Sequence, residues 1–344
     1  MRIAQLAPLF ESVPPPGYGG TERVVSYLTE ELVAQGHDVT LFASADSVTH
    51  ATLTPCAAQA LRTDPRKPDP IAHHIVMIER VAQRAREFDV IHSHIDYLPF
   101  SIARRSRSSW LTTLHGRLDM EYIEHVFREF PEQYVVSISD SQRAPLPWLR
   151  WARTVHHGLP RDLYRFNPRG GDDLVFMGRI SAEKRVDRAV EIALRTGRKL
   201  RVAAKIDDAD AEYYASIKRC LSHPLVEFVG ELGDADKSEF LGNAAALLFP
   251  IDWPEPFGLI LIEALACGTP VIAWRHGSVG EVLRDGETAF LCDDVGQAVR
   301  AVNRIDKLDR RRCRAEFERR FTATRMATDY LAVYEWIQSE QRAA

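Results

Sequence analysis

The stretch Pro254-Glu255-Pro256-Phe257-Gly258-Leu259-Ile260-Leu261-Ile262-Glu263-Ala264, followed by Cys267-Gly268-Thr269-Pro270, carries the strongest signal in this chain. Its two glutamates, with seven residues between them, flank a Phe-Gly turn and an apolar run, the layout of a turn that leads into a helix. A helix start offers free backbone N–H groups and the positive end of the helix dipole, which favour an anion such as a diphosphate. The carboxylates can accept hydrogen bonds from hydroxyls. The stretch therefore predicts a site for a phosphorylated ligand rich in hydroxyls, as a nucleotide-sugar is.

Length and composition narrow the class of protein. The 344 residues are enough for two domains, each with its own core. A net charge of −4 argues against a general nucleic-acid binder, so we expect no nucleic-acid partner. The five cysteines form no C-x-x-C pair and show no metal-ligand spacing, which favours reduced thiols in a cytoplasmic protein. No apolar run approaches the roughly 20 residues that a membrane span needs.

Strand-like and helix-like segments alternate along the whole chain, which predicts an α/β protein with parallel sheets covered by helices on both faces. The predicted strands are 3–9, 38–43, 89–93, 110–114 and 134–138 in the first half, and 174–177, 200–204, 226–229, 246–249, 270–273 and 289–292 in the second.

The pattern breaks near the middle of the chain, at Pro145–Trp148 and again at Thr154–Pro160. We therefore expect two domains, 1–155 and 156–323. The last segment, 324–344, has the spacing of a helix. From the residues alone, this helix could simply complete the second domain.

Two further motifs follow predicted strands. After the strand that ends at Gly178 come the cations Arg179 and Lys184, at the strand end where open parallel sheets bind ligands. The alternative is a solvated helix start, although cations there oppose the helix dipole. After the first strand, Gly19 and Gly20 would let a ligand approach the backbone closely. The alternative for that segment is a flexible loop, and it lacks the G-x-G-x-x-G pattern of nicotinamide sites.

Histidines and paired aspartates give weaker signals. His115 follows a strand, which favours a functional place over a merely structural one. His92 and His94 are interpreted as lining a cleft at most, since they lack a third metal ligand. The segment His156-His157-Gly158 is interpreted as a linker turn, with a ligand contact by either histidine as the alternative. Asp208-Ala209-Asp210 and Asp234-Ala235-Asp236 are interpreted as solvated helix caps, and we expect no metal site.

Together these motifs resemble the retaining, family 4-type glycosyltransferases (glycosyl transferases group 1), in a bacterial member of unassigned acceptor. The resemblance covers essentially the full chain and is densest in the second half. It implies the GT-B fold, with two Rossmann-like, doubly wound domains facing each other across a cleft. It also implies that the last helix, 324–344, crosses back onto the first domain. The nucleotide-sugar donor would then bind mainly to 156–323 and the acceptor mainly to the first domain.

The resemblance also implies roles for the site residues. Glu263 would hold the ribose hydroxyls of the donor, and Glu255 would face the hydroxyls of the donor sugar. Arg179 and Lys184 would neutralise the leaving diphosphate, and His115 would lie near the reaction centre. The remaining donor-binding positions would present backbone atoms to the phosphates and the sugar: Gly19, Gly20, Gly178, Gly258, Leu259, Ile260, Gly277 and Ser278. The last two belong to a loop that departs from the family pattern, with His276 for the first glycine and Gly280 for proline.

The resulting expectation is a retaining, metal-independent hexosyltransferase without a cofactor. We expect a UDP-sugar as donor, with GDP-mannose second, and a small-molecule, glycan or lipid acceptor. Two alternatives remain open: a catalytically silent nucleotide-sugar-binding or scaffold protein, and a phosphorylase-like or epimerase-like enzyme of the same architecture. Cations and aromatics at Arg104–Arg107 and Pro147–Trp151 leave room for a weak peripheral contact with the inner membrane face.

Overall fold

The computed structural model describes residues 1–17 and 19–343, apart from the side chains of residues 208, 235 and 343. The chain divides into two compact units: unit 1 comprises Met1–Gly158 with Ala323–Ala344, and unit 2 comprises Leu159–Thr322. The structure divides the chain after Gly158 and after Thr322, whereas the sequence analysis predicted divisions after residues 155 and 323.

Unit 1 is built on a parallel sheet of seven strands in the order β3-β2-β1-β4-β5-β6-β7. Its strands are β1 (Arg2–Leu6), β2 (Asp38–Ser44), β3 (Thr52–Ala57), β4 (Val90–Ser93), β5 (Trp110–Thr113), β6 (Val135–Ser137) and β7 (Trp151–Thr154). Its helices are α1 (Gly20–Ala34), α2 (Pro70–Gln83), α3 (Phe100–Ala103), α4 (Glu121–Glu129), α5 (Asp140–Arg143) and α13 (Ala323–Ala343).

Unit 2 is built on a second parallel sheet, of six strands in the order β10-β9-β8-β11-β12-β13. Its strands are β8 (Leu174–Arg179), β9 (Leu200–Lys205), β10 (Val226–Gly230), β11 (Ala246–Phe249), β12 (Val271–Trp274) and β13 (Ala289–Cys292). Its helices are α6 (Val186–Thr196), α7 (Ala211–Leu221), α8 (Asp234–Gly242), α9 (Leu259–Cys267), α10 (Val279–Val282), α11 (Val295–Val302) and α12 (Arg310–Arg320).

Two strands that the sequence analysis missed, β3 and β7, are the edge strands of the first sheet. Strand β3 carries Pro55, which removes a backbone donor and is tolerated only at an edge or a bulge. Residues of β7 are only partly buried, so the strand lacks the apolar run of a central strand. The signal that identifies an inner strand is therefore absent from both.

Each sheet has one switch point, a place where the order of its strands reverses. It lies between β1 and β4 in unit 1 and between β8 and β11 in unit 2. The crossovers on the two sides of such a point leave toward opposite faces of the sheet, and the strand ends form a crevice there. Ligands of open α/β sheets bind in that crevice. The two switch points are therefore the places where the fold itself prepares a site.

The last helix, α13, is part of unit 1 and packs against α1. It buries Met326, Tyr330, Tyr334 and Ile337, which recur along one face of the helix. Because α13 covers α1 from outside, α1 is buried far beyond a single stripe, from Glu22 to Thr29 without interruption. Among the helices described, none has the combination of length and apolar character required to cross a membrane.

Arginines of α12 hold the carboxyl end of α9. Arg314 donates to the carbonyl of Ala266 at 2.8 Å, which occupies one of the acceptors that a helix end leaves open. Arg310 makes four bonds of 2.8–2.9 Å, and they tie together segments that are distant in the sequence. Its acceptors are the carbonyl groups of Asn167, Gly242 and Ala244 and the hydroxyl of Thr269.

Replacing Arg310 should destabilise unit 2. Arg310→Ala would leave several partly buried acceptors unpaired, at about 1–3 kcal/mol for each group that water cannot reach. We expect the melting temperature of the full chain to fall by several degrees, against a negligible change for Arg311→Ala on the exposed side of α12. Equal melting temperatures for the two variants would contradict this assignment.

Candidate functional site

The switch point of unit 2 brings together the loops that follow β8 and β11. The N–H of Asp252 donates to the carbonyl of Glu183 at 2.8 Å. Arg185 and Arg188 both reach the carboxylate of Asp252, at 2.9 and 3.1 Å. These bonds fix the two loops against each other, which a site with a defined geometry requires.

Lys184 and Glu255 meet at the centre of this junction, where the lysine ammonium donates to the Glu255 carboxylate. The side chains are only 21% and 10% exposed, so each charge needs the other as its partner. The Lys184 Nζ also lies over the ring of Trp253, 4.7 Å from its centroid. The structure thus joins two residues that the sequence analysis assigned to the reaction, and it adds Trp253, which that analysis did not single out.

Arg179 lies at the end of β8 and is held by two carboxylates, those of Glu183 at 3.2 Å and Asp210 at 3.1 Å. The interpretation of the Asp-x-Asp patterns as solvated caps is therefore wrong for Asp210 and Asp234. Asp210 turns its side chain toward Arg179 and does not cap α7. Asp234 is the first residue of α8, whose N-cap is Gly233, and its carboxylate lies 3.5 Å from Lys237. No group of three or more acidic, histidine or cysteine side chains able to hold a metal occurs among the described residues.

The amino end of α9 lies beside this charged junction. Gly258 precedes the helix with φ at 79°, a left-handed conformation that favours glycine. The helix begins at Leu259, so the amides of Leu259 and Ile260 belong to its first turn and have no acceptor within the helix. Gly178 is the penultimate residue of β8, next to Arg179. All of these predicted positions therefore belong to the carboxyl edge of the unit 2 sheet.

The loop after β12 packs against Glu255. A Cβ atom at Gly277 would lie 2.4 Å from the backbone nitrogen and oxygen of Glu255, so only glycine fits there. The predicted role of Ser278 as an amide donor to the ligand does not fit the structure. Its N–H donates to the Glu255 carbonyl at 2.9 Å, and its hydroxyl donates to the Phe257 carbonyl at 3.0 Å. Ser278 therefore braces the loop that carries Glu255.

Glu263 lies in the second turn of α9 with its side chain only 4% exposed. Lys237 of α8 donates to its carboxylate at 3.3 Å. The sequence analysis did not assign a role to Lys237. The signal available for it was its position three residues after Asp234, in the first turn of α8. Lys237 of α8 is therefore a cation that balances the charge of the buried Glu263 carboxylate.

In unit 1 the predicted positions follow β1 and β5, on either side of β4 and its switch point. Gly19 is the residue before α1, and Gly20 is the first residue of that helix. His115 follows β5, and the side chain of Gln142 fixes its backbone by donating to the carbonyls of Leu114 at 2.9 Å and Gly116 at 2.8 Å. Desolvation lowers the pKa of His115 to about 3, so its ring is neutral at physiological pH.

Three other histidines are linked to His115, directly or through His94. The ring of His157 stacks on that of His115, with centroids 5.3 Å apart and planes 15° apart, so His157 is more than part of a linker turn. His94 is hydrogen-bonded to His115, Nδ1 to Nε2, at 2.9 Å. His92 is buried in the core and does not line a cleft. Burial lowers the pKa of His92, His94 and His157 well below the usual value.

The segments that left room for a membrane contact are occupied by internal contacts. Arg104 pairs with Glu129 and Glu132 and lies over the ring of Phe130. Trp151 donates its indole N–H to the carbonyl of Leu146 at 3.0 Å. Arg128 lies over the ring of Trp148, 5.1 Å from its centroid. Charged groups and aromatic rings of these segments are thus engaged in contacts within the protein.

Comparison with known proteins agrees with this geometry. The family model "Glycosyltransferase Family 4" matches residues 18–188, and the model "Glycosyl transferases group 1" matches residues 166–323. The chain is 27% identical to a glycogen synthase of Mycobacterium tuberculosis, over 93% of this chain and 92% of that protein. It is 26% identical to a phosphatidyl-myo-inositol mannosyltransferase of Mycobacterium leprae, over 98% of this chain and 97% of that protein.

A solved structure shows the same fold. Sucrose-phosphate synthase from Thermosynechococcus elongatus superposes with a TM-score of 0.82 at 21% identity, over 99% of this chain and 100% of the other. The predicted fold class, α/β of the GT-B type with two doubly wound domains, is confirmed by this likeness and by the two parallel sheets. With two family models that together span residues 18–323, the chain belongs to the family 4-type, group 1 glycosyltransferases.

Proposed function

We propose that this glycosyltransferase moves a hexose from a nucleotide-diphosphate sugar to a hydroxyl group, with retention of the anomeric configuration and without a metal. The observation that carries the proposal is the Lys184–Glu255 ion pair at the unit 2 switch point, next to Arg179 and the amino end of α9. Cations and helix amides suit a diphosphate, and a carboxylate suits sugar hydroxyls. We assign donor binding to unit 2 and acceptor recognition mainly to unit 1.

The proposed reaction breaks the bond between the anomeric carbon and the diphosphate oxygen. Negative charge then grows on the leaving phosphate while the sugar becomes oxocarbenium-like. Lys184, Arg179 and the amides of Leu259 and Ile260 stabilise that charge, because they are fixed before the reaction begins. The acceptor oxygen attacks from the face that the phosphate leaves, and a phosphate oxygen takes the acceptor proton. Glu255 orients the sugar through its hydroxyls in this scheme.

The donor base and the acceptor are the finer part of the proposal. The relatives are named for glycogen synthesis and for mannosyl transfer to phosphatidyl-myo-inositol, and those names differ in both sugar and acceptor. Their likeness supports the reaction class rather than one substrate. We propose a UDP-sugar first and GDP-mannose second. The five thiols are free in the structure, which supports a cytoplasmic enzyme, and any membrane contact would be weak because Arg104 and Trp151 already have partners.

A ligand screen tests donor binding. We expect UDP or UDP-sugars to raise the melting temperature without added metal. At a ligand concentration of 100 times the dissociation constant, binding adds roughly 2.7 kcal/mol to the free energy of unfolding. Glu263→Gln should weaken nucleotide binding about 10- to 100-fold, since it removes hydrogen bonds from hydroxyls to a charged acceptor. The exposed Glu239→Gln is the control. Stabilisation by GDP or ADP alone would change the donor, and stabilisation by none of them would overturn the proposed function.

The role of Lys184 in charge stabilisation is testable by kinetics. Lys184→Gln should lower kcat by a factor of roughly 10² to 10³, the usual cost of removing one preorganised group that faces developing charge. Lys199→Gln, which breaks an ion pair with Glu227 on the surface, should leave kcat unchanged. A wild-type kcat in Lys184→Gln would contradict the mechanism. Binding of UDP-sugars without transfer or hydrolysis by the wild type would favour a silent binding protein instead.

Asp210 should compete with the donor for Arg179. In Asp210→Asn the guanidinium loses one of its two carboxylates, so we expect nucleoside diphosphates to bind a few-fold more tightly, by less than about 1 kcal/mol at this partly exposed pair. The effect should shrink as salt is added. Calorimetry with UDP measures both, with the exposed Asp236→Asn as control. Weaker binding in Asp210→Asn would show that Asp210 orients Arg179 rather than opposing the ligand.

The anomeric configuration of the product decides the stereochemistry. Proton NMR of the reaction with an α-linked donor should show only the α-linked product at early times. An initial β-linked product would overturn retention while leaving donor binding by unit 2 intact.

A further inference from the structure

The buried polar groups at the unit 1 switch point form a chain of hydrogen bonds whose direction Gln5 sets. The Gln5 Oε1 atom can only accept, so the His94 Nε2–H donates to it, at 2.8 Å. His94 is buried and neutral, and a neutral imidazole carries one proton. Its Nδ1 therefore bears a lone pair and accepts from the Nε2–H of His115, at 2.9 Å.

The amide nitrogen of Gln5 begins a second series of hydrogen bonds, in which each donor again follows from the one before. The Gln5 amide nitrogen donates to the Tyr334 hydroxyl at 3.2 Å, which leaves the hydroxyl hydrogen for His92 Nδ1 at 2.7 Å. The His92 Nε2–H then donates to the Thr113 hydroxyl at 2.7 Å, and that hydroxyl is hydrogen-bonded to the hydroxyl of Tyr330 at 2.9 Å. A reversed Gln5 amide would reverse this sequence and give His115 the opposite tautomer.

The position of His115 is fixed from several directions. Gln142 holds its backbone, and the ring of His157 stacks on its face. With its Nε2–H donated to His94, the ring has Nδ1 as its remaining polar atom. That atom makes no hydrogen bond to the described residues of unit 1, and the side chain is half-buried. Nδ1 is thus an acceptor with no hydrogen of its own.

We propose that Gln5 and His94 are positioning residues that hold His115 as the Nε2–H tautomer, so that its Nδ1 accepts a hydrogen bond from a ligand hydroxyl. The inference rests on the proposed function in one respect, that His115 faces the bound ligand. Its consequence is that His115 orients a hydroxyl and does not donate a proton to the leaving group.

Nitrogen NMR of the full chain with ¹⁵N-labelled histidine tests the tautomer without any activity. The His115 signals are identified by their loss in His115→Gln. We expect wild-type His115 to carry its proton on Nε2 and none on Nδ1. In Gln5→Met, which keeps the side-chain length but removes the acceptor, His115 should become a mixture of tautomers. A proton on Nδ1 of wild-type His115 would overturn the proposal.

Kinetics test whether the tautomer matters. Gln5→Met should lower kcat about tenfold or more while KM for the nucleotide-sugar stays within about twofold, because the nucleotide is assigned to unit 2. Gln5→Glu should restore most of kcat, since a carboxylate oxygen still accepts from His94. Thr113→Val is the matched control: it removes two equally buried hydrogen bonds at the far end of the chain, to His92 and Tyr330, and should keep both kcat and the His115 tautomer.

The outcomes separate this inference from the proposed function. A mixed tautomer with wild-type kcat in Gln5→Met would overturn the positioning role and leave the transferase intact. Equal loss of kcat in Gln5→Met and Thr113→Val would show a structural effect and overturn the role as well. If the wild-type protein transferred no sugar, the proposed function would fall, and the NMR spectrum would still decide the tautomer.

Discussion

The reversal of strand order in each parallel sheet is the constraint on which the sites depend. Helices cover both faces of the sheets, but between β1 and β4, and again between β8 and β11, the crossovers diverge and the strand ends form a crevice. Polar groups at such ends must find partners in neighbouring loops. The two units meet this requirement in different ways: unit 2 uses ion pairs, and unit 1 uses neutral hydrogen bonds.

Burial accounts for part of the difference, because the buried Glu255 and Glu263 of unit 2 each have a lysine partner. Arg179 and Glu183 remain partly exposed, so water shares the cost of their charges. Gln5, His92 and His94 are almost fully buried, where an unpaired charge would be far more costly. The histidines are accordingly neutral, and each is distinguished by which of its two ring nitrogens carries the proton. The two switch points therefore offer different chemistry to a ligand: exchangeable counter-ions in unit 2 and fixed donors and acceptors in unit 1.

The sequence predicted what depends on local pattern. The strand Ala246–Phe249 and the strand Ala289–Cys292 are apolar runs, and both have the predicted bounds. The turn at Gly258 could be anticipated because a helix start after a Phe-Gly pair has few alternatives. What depends on distant partners could not be foreseen. Asp210 meets Arg179, Lys237 meets Glu263 and Gln5 meets His94 only after the strands have been placed, and no spacing in the sequence records these contacts.

The same limit explains the misinterpreted residues. Ser278 looked like part of an amide-presenting loop, but its N–H and hydroxyl serve Glu255 and Phe257, which approach it from another segment. The segment at His157 looked like a turn because glycine and proline follow it. The stacking partner that makes His157 part of the His115 surroundings lies more than forty residues earlier in the chain.

The discontinuity of unit 1 has a consequence for synthesis. Unit 2 is a single continuous segment, whereas unit 1 needs α13, which is translated after unit 2. Until α13 leaves the ribosome, Gln5, His92 and Thr113 lack the tyrosine hydroxyls that complete their hydrogen bonds. The usual order, in which the earlier domain of a nascent chain folds first, is therefore inverted here: unit 2 can finish folding while unit 1 waits for α13.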